Sequence, residues 1–162
     1  MSVLSHPFPP VWDAQSHLLI LGTFPSVQSR AQSFYYGHPQ NRFWRVLAAV
    51  YQSPVPQSIT EKTTFLHLHH IALWDVLQSC SIHGSSDASI RQPVANDLSA
   101  LLLHAPITAI FTNGKKAAEL YARHCMPATG RPAVTLPSTS PANAAYSLEM
   151  LIARWSVLQQ RP

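Results

Sequence analysis

Cysteine is nearly absent from this chain: only Cys80 and Cys125 occur. Two distant thiols cannot supply an iron–sulfur cluster or a cysteine-rich zinc site, so their expected role is core filling in a reducing compartment. Charge is also scarce, at 11 % of residues, and acids are the rarer sign, with 7 Asp+Glu against 11 Lys+Arg. That mild positive excess suits a polyanionic partner. No apolar run approaches the roughly 20 residues of a membrane span, and the N-terminus lacks the basic start and apolar stretch of a signal peptide. The expectation is a cytoplasmic protein that does not enter a membrane. Nine histidines are present, but no HExxH pattern occurs, and His67, His69 and His70 have no cysteine or acid beside them in the sequence. No metal or organic cofactor is expected.

What is present is an ordinary globular balance, 46 % hydrophobic over 162 residues, enough for one domain spanning 1–162. Strand and helix patterns alternate. His17 to Gly22 reads as a buried strand, and Asn41 to Tyr51 as a helix with Phe43, Val46, Leu47 and Val50 at helical spacing. Ser53-Pro54-Val55-Pro56 stops it. A short helix is expected over Glu61 to Leu68, a strand over His70 to Trp74, and a polar loop over Ser79 to Ser89. A helix from Asn96 to His104, with Asn96 as its N-cap, follows. A strand over Ile107 to Thr112, a helix over Lys115 to His124, a strand over Ala133 to Leu136 and a closing helix over Ala144 to Gln160 complete the pattern. This βα rhythm predicts an α/β fold with a parallel sheet between helices. Ligands of such sheets bind beyond the carboxyl ends of the strands. Thr23 to Ser26, Asn113-Gly114 and Pro137 to Asn143 all fall there.

The most distinctive segment is Tyr35-Tyr36-Gly37-His38-Pro39-Gln40-Asn41-Arg42-Phe43-Trp44. Aromatics offer stacking faces, Asn and His offer donors and acceptors, and Gly and Pro fix the backbone. Together they suit a site that grips a flat heterocycle. Asn41 is the first catalytic candidate. Its amide oxygen can orient a water, or its NH2 can hold a base carbonyl, or it can cap the helix beginning at Arg42. His38 is the second candidate, as donor to a base or brace for the loop. Thr23, Phe24, Ser26, Tyr35 and Tyr36 are candidates for the pocket wall, with the Phe24 and Ser26 N–H groups as donors, since Pro25 has none. Arg30, Lys115 and Lys116 are candidate phosphate contacts, and Ser138, Thr139 and Ser140 suit either a phosphate contact or a turn and N-cap ahead of the helix expected from Ala144. Arg42 is expected to pair with phosphate or a loop carbonyl, and Asp75 follows a strand as a possible pocket acid.

Gly22-Thr23-Phe24-Pro25-Ser26, the Tyr35 to Trp44 run and Leu136-Pro137-Ser138-Thr139-Ser140-Pro141-Ala142-Asn143 together resemble the uracil-DNA glycosylase superfamily. Within it they are most similar to the hypoxanthine-DNA glycosylase branch. The resemblance implies a three-layer α/β/α sandwich around a four-stranded parallel sheet. It also implies monofunctional hydrolysis of the N-glycosidic bond of deaminated bases in DNA, hypoxanthine first and uracil second. The implied partner is damaged DNA, bound by a monomer. Many members carry Asp or Asn where this chain has Phe24, and the branch sharing that departure relies on the residue matching Asn41. Two other readings follow from the same residues: a damaged-DNA-binding module of this fold with little or no turnover, motivated by Phe24, and a hydrolase of free nucleosides.

Overall fold

The computed structural model describes residues 2–160. Four strands form a wholly parallel sheet: β2 (Leu18–Gly22), β3 (Ile71–Asp75), β6 (Ala109–Asn113) and β7 (Val134–Leu136), in the order β3-β2-β6-β7. The central strand Leu-Leu-Ile-Leu-Gly is buried along its whole length, as a strand covered on both faces must be. Its side chains alternate. Leu18 and Ile20 join one core with Ile71, Leu73 and Phe111, while Leu19 and Leu21 join a second with Ala72 and Ile110.

Helices α2 (Phe43–Val50) and α7 (Leu148–Trp155) cover the first face through Phe43, Val46, Leu47, Leu151 and Trp155. Helices α4 (Ser99–His104) and α5 (Lys115–His124) cover the second through Leu101, Leu120 and Tyr121. The sandwich and its four parallel strands therefore match the sequence reading. Helix α1 (Val27–Gln32) follows β2, α3 (Ile59–Leu68) precedes β3, and the short α6 (Met126–Thr129) follows α5.

Three features differ from expectation. Strands β1 (Val3–Ser5), β4 (Leu77–Ser81) and β5 (Arg91–Ala95) form a second, antiparallel sheet in the order β1-β4-β5. The expected polar loop thus begins as a strand, because Leu77, Cys80 and Ser81 are buried against the second core. Asn96 does not cap α4. It is buried, and its Nδ2 donates to the Asp75 carbonyl at 2.9 Å, while the Asp97 carboxylate takes the capping role by accepting from Ser99 N at 2.9 Å. The closing helix begins at Leu148, where the Ser147 hydroxyl accepts from Met150 N, and it tightens into a 3₁₀ turn over Ser156–Gln160. Cys80 and Cys125 are both buried free thiols.

Candidate active site

The carboxyl ends of β2, β3, β6 and β7 converge on a cavity of about 310 Å³. Thr23, Phe24, Pro25 and Ser26 come from the β2 end, Asp75 from β3, Asn113 from β6, and Ser138 to Ala142 from the loop after β7. Tyr35, Tyr36, His38 and Asn41 close it from the segment ahead of α2, and Ser85 and Asp87 from the connection between β4 and β5.

Asn41 is clamped. Its Oδ1 accepts from Phe43 N at 2.9 Å and from the Thr139 hydroxyl at 2.8 Å. A backbone N–H can only donate, so the orientation of the amide is fixed and its NH2 is the group left for the cavity. Capping of α2 and a place in the cavity therefore belong to one side chain, and the oxygen is spent on the protein rather than left to hold a water.

Thr139 is the hub of this arrangement. It is fully buried. Its hydroxyl also accepts from Asn113 Nδ2 at 3.0 Å, and its amide donates to Asn113 Oδ1 at 3.0 Å. The expectation of Thr139 at a phosphate is thus corrected: its hydroxyl is committed inside the protein. Arg42 reinforces the same junction. Its amide donates to the Thr139 carbonyl at 3.1 Å, and its guanidinium donates to the carbonyls of Tyr146, Ser140 and Asn143. Of the two expected roles for Arg42, the loop carbonyls are the ones observed. Ser138 and Ser140 remain half-exposed on the rim. Gly114, at φ +97°, leaves room for Ser138, whose Cβ would lie 3.0 Å from any added Cβ.

The aromatic candidates separate. Tyr35 is buried in the core, with its hydroxyl donating to the Pro9 carbonyl at 3.0 Å and its ring perpendicular to that of Phe8, and it contributes to the cavity lining from there. Tyr36 adopts a left-handed backbone, φ 54°, a conformation that non-glycine residues hold only where surroundings enforce it. Its ring stacks on Phe43 with centroids 3.9 Å apart. Its hydroxyl is fully enclosed beside the Asn113 side chain and makes no hydrogen bond of good geometry among the described residues. Burial, helped by the Asp75 charge, pushes its phenol far above the ordinary range, so it stays a donor. Phe24 also lines the cavity, with the Arg30 guanidinium 5.8 Å from its ring centroid.

His38 stands on the rim. Gln40 N donates to its Nδ1 at 3.1 Å, which leaves the ring proton on Nε2. Ser26 caps α1, accepting from Ser29 N at 3.1 Å. Neither the Phe24 nor the Ser26 amide N–H meets a protein acceptor among the described residues. Arg30 is half-buried and donates to the Gly84 carbonyl at 2.9 Å, so it braces the Ser85–Asp87 wall more than it faces solvent. Lys115 is exposed and Lys116 half-exposed at the start of α5.

Several contributors were missed by sequence reasoning. His6 Nε2 lies 2.8 Å from Asp75 Oδ2, with both side chains buried. Asp87 sits in the stretch taken for a loop. The residue is open to solvent on one side, but its carboxyl is crowded by protein, and that burial, reinforced by Asp75 and opposed by Lys116 and Thr23, pushes it up to about 6. A second groove continues from the first past Tyr36, His38 and Asn41 and is lined by Arg45, Gln57 and Lys62. Its lining holds two cations and no carboxylate. Among the described residues no group of histidines, cysteines and acids is arranged to hold a metal ion.

The family model of the uracil DNA glycosylase superfamily matches residues 9–159. This chain belongs to that superfamily. Among its relatives, a protein named hypoxanthine DNA glycosylase from Methanosarcina acetivorans is 36 % identical over 86 % of this chain and 89 % of its own length. A protein of the same name from Methanosarcina barkeri is 37 % identical over 69 % of this chain and 72 % of its own. A solution NMR structure from Methanosarcina acetivorans, described as a candidate uracil DNA glycosylase, superposes with a TM-score of 0.79 at 32 % identity, covering 98 % of this chain and 99 % of that one. As a member of the uracil DNA glycosylase superfamily, this chain keeps the family's parallel sheet while holding Phe24 in the first loop and Asn41 ahead of α2.

Proposed function

We propose that this chain is a monofunctional DNA glycosylase that releases hypoxanthine first, and uracil second, from DNA by hydrolysis of the N-glycosidic bond. The target nucleotide leaves the stack and its base enters the cavity. As the C1′–N bond lengthens, positive charge grows on the sugar and negative charge on the departing base. The Asn41 NH2, the Nε2–H of His38 and the free amides of Phe24 and Ser26 are donors for that developing charge, supplied by groups that are already fixed. The carboxylate of Asp87 favours the sugar cation. Water then bonds to C1′ and loses its proton, and the base departs with the bonding pair and is protonated. The observation that carries the reading is the clamp on Asn41, which aims a donor rather than an acceptor into the cavity.

Among the described residues no lysine lines the cavity, which favours hydrolysis over a Schiff base and strand cutting. The DNA backbone is proposed to run past Ser138, Ser140, Lys115 and Lys116 on one side. Arg45 and Lys62 in the second groove meet it on the other. The protein acts as a monomer on this reading. It works inside the cell, where DNA is found. Labelled duplexes carrying inosine or uracil, treated with enzyme and then alkali, test the proposal: abasic sites are expected, more from inosine. Asn41→Ala is expected to lower the rate by roughly 10²–10³, as loss of one oxyanion donor does. Absence of product from both duplexes at micromolar enzyme would leave a damage-binding protein without turnover.

A further inference from the structure

Asp75 ends β3 directly beside Gly22 of β2. Its two oxygens have different surroundings. Oδ2 is held by His6 Nε2 at 2.8 Å. Among the described residues Oδ1 has no hydrogen-bond partner, yet it is not among the fully enclosed unpartnered atoms, so it faces the cavity that Asp75 lines. The place a Gly22 Cβ would occupy lies 2.6 Å from the Tyr36 hydroxyl and closer still to Asp75 Oδ1. The free acceptor Oδ1 thus lies over Gly22, beside a Tyr36 hydroxyl that is itself enclosed by protein. His6 itself is reached only from behind, packed among Phe8, Phe24 and Tyr35.

We propose that His6 is a specificity-determining positioning residue, which occupies one oxygen of Asp75 and leaves the cavity a single carboxylate oxygen to read one ring N–H of the base. This rests on the proposed function and deepens it. Hypoxanthine and uracil present a ring N–H, which matches the Asp75 acceptor. Adenine and cytosine present a ring-nitrogen lone pair at that position, and a carboxylate oxygen facing it is repelled. Guanine presents its ring N–H beside an amino group, two donors spaced for both oxygens of a carboxylate. With Oδ2 engaged by His6, the guanine amino group has no partner, and a buried polar group left unpaired is rejected strongly. A single carboxylate thereby excludes adenine and cytosine by charge and guanine by occupancy.

The test compares the full-length wild type with His6→Gln, His6→Phe and Asp75→Asn. Free hypoxanthine, 1-methylhypoxanthine, guanine and adenine are titrated by calorimetry and thermal shift, alongside turnover of an inosine duplex. Wild type is expected to bind hypoxanthine at least about tenfold more tightly than the other three, the scale of one well-placed polar contact. His6→Phe is expected to close most of the hypoxanthine–guanine gap, and His6→Gln, which keeps a donor, to preserve it. Asp75→Asn is expected to erase the gap between hypoxanthine and its 1-methyl form and to move preference toward adenine. Should His6→Phe not fold, the ranking by Asp75→Asn decides. Equal ranking of the four bases by wild type overturns the proposal, as does a folded Asp75→Asn that loses turnover with its ranking intact, which would make Asp75 a group that positions water. A wild type that ranks the bases as stated but releases none from the duplex keeps the role of His6 and removes the proposed reaction.

Discussion

Asp87 illustrates how much depends on a single side chain at the rim of this site. Burial favours its neutral form and raises it to about 6, so its folded-state value lies above the unfolded one near 3.9. The contribution to stability is therefore fully present below about pH 4 and is lost as pH rises through about 6. The same titration bears on DNA. Below pH 6 the carboxyl is neutral, and Lys116 beside it is free to attract phosphate; above pH 6 an anion faces the strand. Wild-type affinity for a duplex is expected to weaken between pH 5 and pH 7 more steeply than that of Asp87→Asn, which should be tighter above pH 6. Fluorescence anisotropy at constant ionic strength measures the difference between the two slopes, and parallel slopes would remove Asp87 from the binding surface. Asn41 was legible from the sequence as a site residue, but the choice among its roles was not. That choice depended on which donors meet its oxygen, and one of them, Thr139, lies 98 positions away.

At the scale of elements, the loops after β6 and β7 and the start of α2 are tied through Thr139. Replacing Thr139 with Val keeps the shape and removes the hydroxyl, stranding Asn113 Nδ2 and releasing one of two restraints on Asn41. The expected cost is about 1–3 kcal/mol of stability, read by denaturant unfolding. The expected loss of turnover is larger than that of Ser140→Ala, which only trims the rim. Equal losses would make Thr139 a packing residue. The parallel strands were readable because each is a short, nearly continuous apolar run. The second sheet was not, because β4 (Leu-Gln-Ser-Cys-Ser) and β5 (Arg-Gln-Pro-Val-Ala) carry polar residues and a proline that read as loop. Pro93 is tolerated because β5 is an edge strand. Only pairing with β1 shows that Val3–Ser5 is structured and that His6 therefore reaches Asp75.

For the whole molecule, a formal net charge of +4 is made more effective by how the charges are placed. Among the described residues no Lys or Arg lies within salt-bridge distance of a carboxylate; both ion pairs involve histidine. Lys116 feels the Asp87 carboxylate, and the other cations have no acidic counterpart in ion-pair contact among the described residues. Arg45 and Lys62 in the second groove are the clearest case, with Lys62 Nζ held 5.3 Å from the Trp44 ring centroid and made easier to deprotonate by partial burial. Double replacement Arg45→Ala/Lys62→Ala is expected to weaken duplex binding similarly for damaged and undamaged sequences. The slope of log affinity against log salt should become shallower by roughly one for each phosphate no longer neutralised. An unchanged slope would place the DNA elsewhere. Charge balance alone suggested a polyanion; that Arg45 and Lys62 line a groove continuous with the cavity needed the three-dimensional structure.

The most direct measurement is single-turnover release of hypoxanthine from a labelled inosine duplex by wild type and Asn41→Ala, with matched unfolding curves and matched duplex affinity. Abasic sites are expected from wild type, and a rate for the folded, DNA-binding variant lower by roughly 10²–10³. Equal rates from the two proteins would contradict the proposed chemistry, because the donor that the Asn41 clamp aims at the base would then take no part in breaking the bond.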